Sequence, residues 1–288
     1  MKPTSFEYHS PATLDAALAV LAGAGAREGR VLAGGQSLLP TMALRLARPA
    51  HLIDINGIAE LAGLRVENNE LVIGACVRHA AFERTVEEGP LGRLLAHVVR
   101  HIAHYPIRTR GTFCGSLAQA DPAAEWCLVA ATLSARMVIA SAKGRRVVNA
   151  DAFFEGPMMT ALRDGELLIE ARLPLLSAGT HTGFCEFSRR AGDFAIAMAL
   201  VTYELRDGVI SEARVGIGGA EDRPRRIAEA EAAMRGKPAR QAVFEAVADA
   251  AAQAISPARD IRYCAEYRRD AARAMVLRAL AQAAGDAR

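Results

Sequence analysis

Val31-Leu32-Ala33-Gly34-Gly35-Gln36-Ser37-Leu38-Leu39-Pro40 carries a short apolar strand into three residues with almost no side chain, then into two polar ones. Glycine lets a backbone bend sharply and lets another molecule approach its N–H groups. Successive N–H groups in such a bend form a partly positive hollow suited to phosphate oxygens. Taken alone, the stretch reads first as an ordinary strand-to-helix turn. A second loop, Gly111-Thr112-Phe113-Cys114-Gly115-Ser116, followed by Leu117-Ala118-Gln119-Ala120-Asp121-Pro122-Ala123-Ala124-Glu125, changes that balance. Two small-residue loops, each ending in Ser, can hold one diphosphate between them.

The sequence around the first loop predicts a β-α-β unit. Phe6–His9 is extended, and Ser10-Pro11 offers an N-cap and a first-turn proline. Leu14, Ala17, Leu18 and Leu21 then form one helical stripe, stopped by Gly23 and Gly25. Met42–Ala47 is helix-like and ends at Pro49. His51–Ile55 is a buried-type strand closing at Asn56-Gly57. A ligand site in an α/β unit belongs after a strand, where this glycine loop falls. It is not a Rossmann fingerprint, because the Gly-x-Gly-x-x-Gly spacing is absent.

Downstream, Leu64–Val66 and Leu71–Ala75 predict a hairpin. Pro90–His104 predicts a helix with Leu91, Leu94, Leu95, Val98, Val99 and Ile102 on its apolar face, broken by Tyr105-Pro106. Asp121-Pro122 caps a helix running through Trp126, Leu128 and Val129. Met137–Ala140 and Arg146–Val148 form a hairpin, Asp151–Gly156 starts a helical turn, and Glu166–Pro174 is a strand. From Ser177 three extended runs follow, Gly183–Arg190, Ala195–Arg206 and Val209–Gly218, the last two joined by Asp207-Gly208, a two-residue hairpin signal. Helices over Arg226–Arg235, Arg240–Ile255 and Ala265–Ala284 complete the chain. Strands followed by helices indicate a separate α+β unit. The expected division is 1–56, 57–176 and 177–288.

Composition narrows the function classes. A chain of 288 residues with half of them hydrophobic can bury two or three modest cores. The net charge of +3 and the scattered basic residues exclude a nucleic-acid binder. No secretory leader or transmembrane run is seen. The five cysteines are odd in number and widely spaced, giving neither a disulfide framework nor a Cys-x-x-Cys metal pair. A protein of the reducing cytoplasm without its own zinc or iron–sulfur site is expected.

With both loops and the tail in view, the sequence resembles the flavin-binding (medium) subunit of the molybdenum hydroxylases, the carbon monoxide dehydrogenase and xanthine dehydrogenase type. Ala33-Gly34-Gly35-Gln36-Ser37 is similar to that family's first FAD-diphosphate loop. Thr112-Phe113-Cys114-Gly115-Ser116 with Ala120-Asp121-Pro122-Ala123-Ala124-Glu125 is similar to its second. Ser188-Arg189-Arg190-Ala191-Gly192-Asp193 resembles the opening of its C-terminal domain. The implied fold is α+β: two small α/β FAD-binding subdomains of the PCMH type, then an antiparallel three-stranded sheet with a helical bundle.

The resemblance implies FAD contacts from Val31, Leu32, Ala33, Gly34, Gly35, Gln36, Ser37 and Leu38 in the first loop. Backbone N–H groups of Gly34 to Ser37, with the Ser37 hydroxyl, are the first choice for the diphosphate. Thr112, Gly115 and Ser116 would meet it from the other side, with Phe113 and Cys114 of the same loop also among the implied cofactor contacts. Ile102, Asp121, Glu125, Leu168 and Phe194 complete the implied set, with Glu125 accepting from ribose or adenine and Phe194 covering one flavin face or packing in the C-terminal core. Neither a catalytic residue nor a metal ligand is expected. No His or Cys stands in the first loop to tether the flavin, so FAD is expected to bind non-covalently. The implied partners are a molybdopterin-binding large subunit and a small subunit with [2Fe–2S] clusters, two copies of each in a heterohexamer. Electrons from the clusters would reach FAD here and pass to NAD, a quinone or oxygen. A self-contained PCMH-fold flavoprotein oxidase and a flavin-less binding module are the rival readings.

Three positions depart from the family pattern. Cys114 replaces a glycine, which is costly if φ is positive there. Glu125 stands where Asp is common, and Glu186 where a lysine often precedes the Arg-Arg pair. Among the remaining residues, His97, His101 and His104 share a helix but lack the Glu of a His-Glu-x-x-His site, so surface or interface roles are expected. Trp126 is expected in the core or against the cofactor. Arg189 and Arg190 are a structural ion-pair cluster or a subunit contact surface.

Overall fold

The computed structural model describes residues 2–24, 28–257 and 260–285. Its first elements are β1 (Glu7–His9), α1 (Leu14–Gly23), β2 (Gly29–Leu32), α2 (Leu38–Ala43) and β3 (His51–Asp54). β3 lies between β1 and β2 and pairs with both in parallel. Parallel neighbours need crossovers, which α1 and α2 supply. α1 buries Leu14, Ala17, Leu18 and Leu21, the expected stripe. Its cap is Thr13 rather than Ser10, the Thr13 side chain accepting from the Ala16 N–H at 3.2 Å. Capping there starts the helix on its first buried residue. Gly25, expected to help end it, lies outside the described residues.

α2 begins at Leu38, directly after the glycine loop, and ends at Ala43, where a Met42–Ala47 helix was expected. Pro40 sits in the first turn, where its missing N–H has no intrahelical partner to lose.

The middle of the chain holds β4 (Leu64–Glu67), β5 (Glu70–Gly74), α3 (Pro90–Val98), α4 (Tyr105–Arg108), α5 (Phe113–Gln119), α6 (Glu125–Thr132), β6 (Arg136–Ser141), β7 (Gly144–Asn149), α7 (Ala150–Phe153), β8 (Phe154–Gly156), β9 (Met159–Thr160) and β10 (Leu167–Pro174). Five strands pair antiparallel in the order β4-β5-β10-β6-β7. The helix predicted over Pro90–His104 stops at Val98, and Ala103 takes a φ of 42°. The break is held by Arg108, whose guanidinium donates to the Ile102 and Ala103 carbonyls at 3.0 and 3.1 Å and to Glu83 at 2.7 Å. Asp121-Pro122 is not a helix cap. Asp121 Oδ1 accepts from the Ala123 N–H at 2.9 Å in a turn of its own, and α6 begins only at Glu125.

The C-terminal part comprises β11 (His181–Phe187), β12 (Ala197–Arg206), β13 (Val209–Gly218), β14 (Arg225–Arg226), α8 (Ala228–Met234), α9 (Gln241–Ala254) and α10 (Ala265–Gly285). The first three strands form the expected antiparallel sheet, and β14 adds a fourth of two residues beside β13. Asp207 and Gly208 make the hairpin turn, with φ of 52° and 78°. β12 is buried on both faces, so its apolar run does not alternate. Met198 and Leu200 join the core of the middle sheet, whereas Ala197, Ala199, Val201 and Tyr203 pack under the C-terminal helices. α6 is buried all round because it lies between these layers. Gly216 of β13 admits it: a Cβ there would meet Thr132 Oγ1 at 1.9 Å. Among the described residues no helix is long and apolar enough to cross a membrane.

Candidate functional site

The two loops meet. A Cβ on Gly34 would lie 2.5 Å from the Arg110 carbonyl oxygen and 2.6 Å from the Gly111 Cα, so only a bare backbone fits. A side-chain bridge fastens the contact. Asn56 donates from Nδ2 to the Ala33 carbonyl at 2.9 Å and accepts at Oδ1 from Arg78 at 2.7 Å, and Arg78 in turn donates to the Arg110 carbonyl. Between and beside the loops runs a cavity of about 720 Å³.

Most of the residues singled out from sequence border this cavity. Val31, Ala33, Gly34, Gly35, Gln36, Ser37 and Leu38 line it from the first loop, and Thr112, Cys114, Gly115 and Ser116 from the second. Ile102, Asp121, Glu125, Leu168 and Phe194 also reach it, Phe194 being 67 % exposed at the edge. Leu32 and Phe113 do not line it. Leu32 alternates with Val31 and Ala33 along the strand and so faces the other side. Phe113 is wholly buried, with its ring 5.6 Å from Phe82 and 4.9 Å from Trp126. Trp126 is a core residue too.

The second loop differs in kind from the first. It is the start of helix α5, capped by Thr112, whose hydroxyl accepts from the Gly115 N–H at 3.0 Å. The Phe113 and Ser116 N–H groups donate to the carbonyls of Val77 and Thr112 at 3.0 and 3.1 Å. Of the residues expected to face a diphosphate, Gly115 and Ser116 therefore have amides already engaged, leaving the Ser116 hydroxyl and the positive end of α5. In the first loop, by contrast, Ser37 starts α2 without any side-chain capping bond. Cys114 sits inside α5, and the positive φ in this segment falls at Ala120, 52°. The steric cost feared for a cysteine in the loop does not arise. Its thiol is buried, 3.5 Å from the Ile73 carbonyl, and burial pushes it far above the usual thiol range.

Several lining residues had no signal in the sequence. Arg30 and Arg163 bring cations to the cavity although neither loop carries a lysine. His79 borders it as a buried imidazole whose pKa burial lowers to about 4. Trp126 Nε1 donates to His79 Nδ1 at 2.9 Å, so the ring is neutral with its hydrogen on Nε2. His97 and His101 instead sit at the junction of α3 with β11, both rings against Phe184. His97 Nε2 is 3.2 Å from the Phe184 carbonyl and 3.2 Å from Gln282.

At one end of the cavity, Glu125 at the start of α6 faces Glu186 of β11. Burial is the first cause that raises both carboxyls above the ordinary glutamate range; the Asp121 charge adds to it at Glu125 and the Glu125 charge at Glu186, and burial also raises Asp121 beside them. Glu186 Oε2 is buried and has no partner among the described protein atoms. Two carboxylates have no hydrogen to share, so the contact is favourable only when one of them is protonated.

Residues 4–176 match the model of the FAD-binding domain in molybdopterin dehydrogenase, and residues 182–283 that of the CO dehydrogenase flavoprotein C-terminal domain. The chain belongs to the FAD-binding medium-subunit family of the molybdenum hydroxylases. It is 35% identical over 283 residues to the nicotine 6-hydroxylase medium subunit of Paenarthrobacter nicotinovorans, covering 98% of this chain and 99% of that one. With the caffeine dehydrogenase subunit beta of Pseudomonas sp. (strain CBB1) it shares 38% over 285 residues, 99% and 96% of the two chains. Among solved structures, a carbon monoxide dehydrogenase from Hydrogenophaga pseudoflava superposes with a TM-score of 0.92 at 38% identity, covering 99% of both chains. The medium subunit is thus an oxidoreductase component whose own cofactor is FAD. The site fits that cofactor: it is large, glycine-walled where the backbone must be approached, and edged by helix N-termini and arginines.

Proposed function

We propose that this chain is the FAD-carrying electron-transfer subunit of a cytoplasmic molybdenum hydroxylase, standing between the [2Fe–2S] clusters of a small partner subunit and an external acceptor. A large subunit with the molybdenum cofactor would carry the substrate chemistry, with two copies of each subunit in the complex. The observation that carries this reading is the cavity on which both glycine-bearing loops converge. Bound there non-covalently, FAD supplies one- and two-electron redox chemistry.

The chain's own residues bind and orient. The Gly34–Ser37 bend offers main-chain amides and the Ser37 hydroxyl to a diphosphate, and Ser116 with the α5 terminus approaches from the opposite wall. Arg30 and Arg163 add positive charge at the rim. Phe194 is placed to shield one face of a planar ring from water. Asp121 and Glu125 offer oxygens to the hydroxyls of a nucleotide. Neutral His79, fixed by Trp126, adds an Nε2–H donor without adding charge.

The three subunits co-expressed and purified anaerobically provide the test. The expected result is one flavin per copy of this chain, released by acid precipitation, and reduced by substrate only when the partner subunits are present. Flavin that stays with the acid precipitate would overturn non-covalent binding. Reduction of the flavin by substrate with this chain alone would establish the self-contained oxidase instead.

A further inference from the structure

Away from the cavity, β1 and β3 bring together Glu7, His9 and His51. Glu7 and His9 are two residues apart and so share a face of β1. His51 is the register partner of Glu7 on β3. The consequence is a tight triangle of ligand atoms. His9 Nε2 and His51 Nδ1 are 3.1 Å apart, Glu7 Oε1 is 3.6 Å from the first, and Glu7 Oε2 is 3.5 Å from the second. Atoms bound at about 2.0–2.1 Å to a tetrahedral zinc ion lie roughly 3.3 Å from one another. The three edges bracket that separation.

We propose that Glu7, His9 and His51 form a binding site for a divalent transition-metal ion, zinc above all, that clamps β1 to β3. Two imidazoles and one carboxylate form a donor set of borderline character, which suits zinc and its neighbours rather than calcium or magnesium. Only one hydrogen fits between the two facing ring nitrogens, whereas a cation uses both lone pairs and the carboxylate charge. Glu7 is exposed and the histidines are half-buried, so an ion enters from solvent and water completes its coordination. None of the three residues lines the cavity, so this is a separate site.

The clamp has a structural purpose. β1 is an edge strand joined to β3 over three residue pairs. The far end of β3 is Asp54, which accepts from the Tyr8 hydroxyl at 2.6 Å and from Asn56, the residue that holds the first loop. Securing β1 on β3 therefore stiffens the strand that leads into that bridge.

Zinc competition against a chromophoric chelator on the full flavin-loaded chain tests the proposal, with cobalt absorption as a second readout. The expected result is one stoichiometric site per chain, cobalt bands of a low-coordinate ion, and a higher thermal midpoint with zinc. His9→Ala and His51→Ala should each weaken zinc by more than an order of magnitude and abolish the midpoint shift, with a smaller loss for Glu7→Gln. His51→Asn serves if the alanine variant folds poorly, with circular dichroism as the check. Wild-type chain without a stoichiometric site, or histidine variants that bind zinc as tightly as wild type, would overturn it. The second outcome would point to the exposed Cys264 or to His97 and His101 instead.

Discussion

Gly34 stands so close to Arg110 that a single added methyl group would come 2.5 Å from the Arg110 carbonyl oxygen. The obstructing atom is main chain, and the bridge from Ala33 through Asn56 and Arg78 holds it in place, so it cannot swing aside. Gly34→Ala should push the two loops apart. The expected outcome is a destabilisation of about 1–3 kcal/mol from overpacking, with a sharp fall in flavin content. Thermal unfolding and the flavin-to-protein absorbance ratio measure both. A variant with full flavin content would show that the contact does not shape the site.

The bridge can be cut without touching the loops. Asn56 is exposed, so Asn56→Ala removes hydrogen bonds but leaves no buried hole. The stability cost should be small, about 1 kcal/mol. Flavin dissociation, followed by recovery of fluorescence on dilution, should accelerate markedly, because loop spacing is no longer fixed. Unchanged dissociation with the stability loss intact would confine Asn56 to a structural role.

The Glu125–Glu186 pair predicts a pH dependence of stability. Both carboxyls have folded values raised above their unfolded ones, chiefly by burial, with the Asp121 charge adding at Glu125 and the Glu125 charge at Glu186. The folded protein therefore holds the proton more tightly than the unfolded chain does. Stability from this source is complete below the ordinary glutamate value of 4.5 and is lost as pH rises through the elevated range. One proton so linked gives a slope of at most about 1.4 kcal/mol per pH unit. In Glu186→Gln the amide N–H can donate to the Glu125 carboxylate, so the contact persists without a proton. Thermal midpoints measured from acid to alkaline pH should fall in the wild type and flatten in the variant. Equal slopes would exclude a shared proton.

Much of this architecture is legible from local pattern. The α1 stripe, the two middle hairpins and the Asp207-Gly208 turn follow from periodicity and turn chemistry, which act over a few residues. The strand order does not. β10 ends the middle unit in sequence, yet it is the central strand of the sheet, between β5 and β6. Such pairing depends on which apolar faces meet in space. The same holds for the site. Glycines and serines marked both loops, and Thr112 three residues before Gly115 is a local capping signal that went unread, but local pattern could not show that the two loops meet. Nor could it place Arg30, His79 and Arg163 around the cavity, or set Glu186 against Glu125. The helix break after Val98 was hidden for a similar reason, because the arginine that stabilises it lies ten residues further on.

The cysteines give a prediction that separates burial from chemistry. Cys114 borders the cavity, a place where chemistry at a thiol is conceivable. The structure argues otherwise: Cys76, Cys114 and Cys127 are buried, and burial is the leading cause of the upward shift of each thiol. Only a thiolate attacks an alkylating reagent, so these three should be silent in the native protein. Cys264 is exposed and should react first, with half-buried Cys185, also shifted upward by burial, following more slowly. Mass spectrometry after timed iodoacetamide treatment should find one fast site in native protein and five after denaturation. Replacing Cys114 by glycine should then lower the thermal midpoint without raising flavin affinity, since its φ is already ordinary and only buried contact with the core is removed. Rapid labelling of Cys114 in the native state would mean that the α5 turn opens to solvent, and the cavity wall with it.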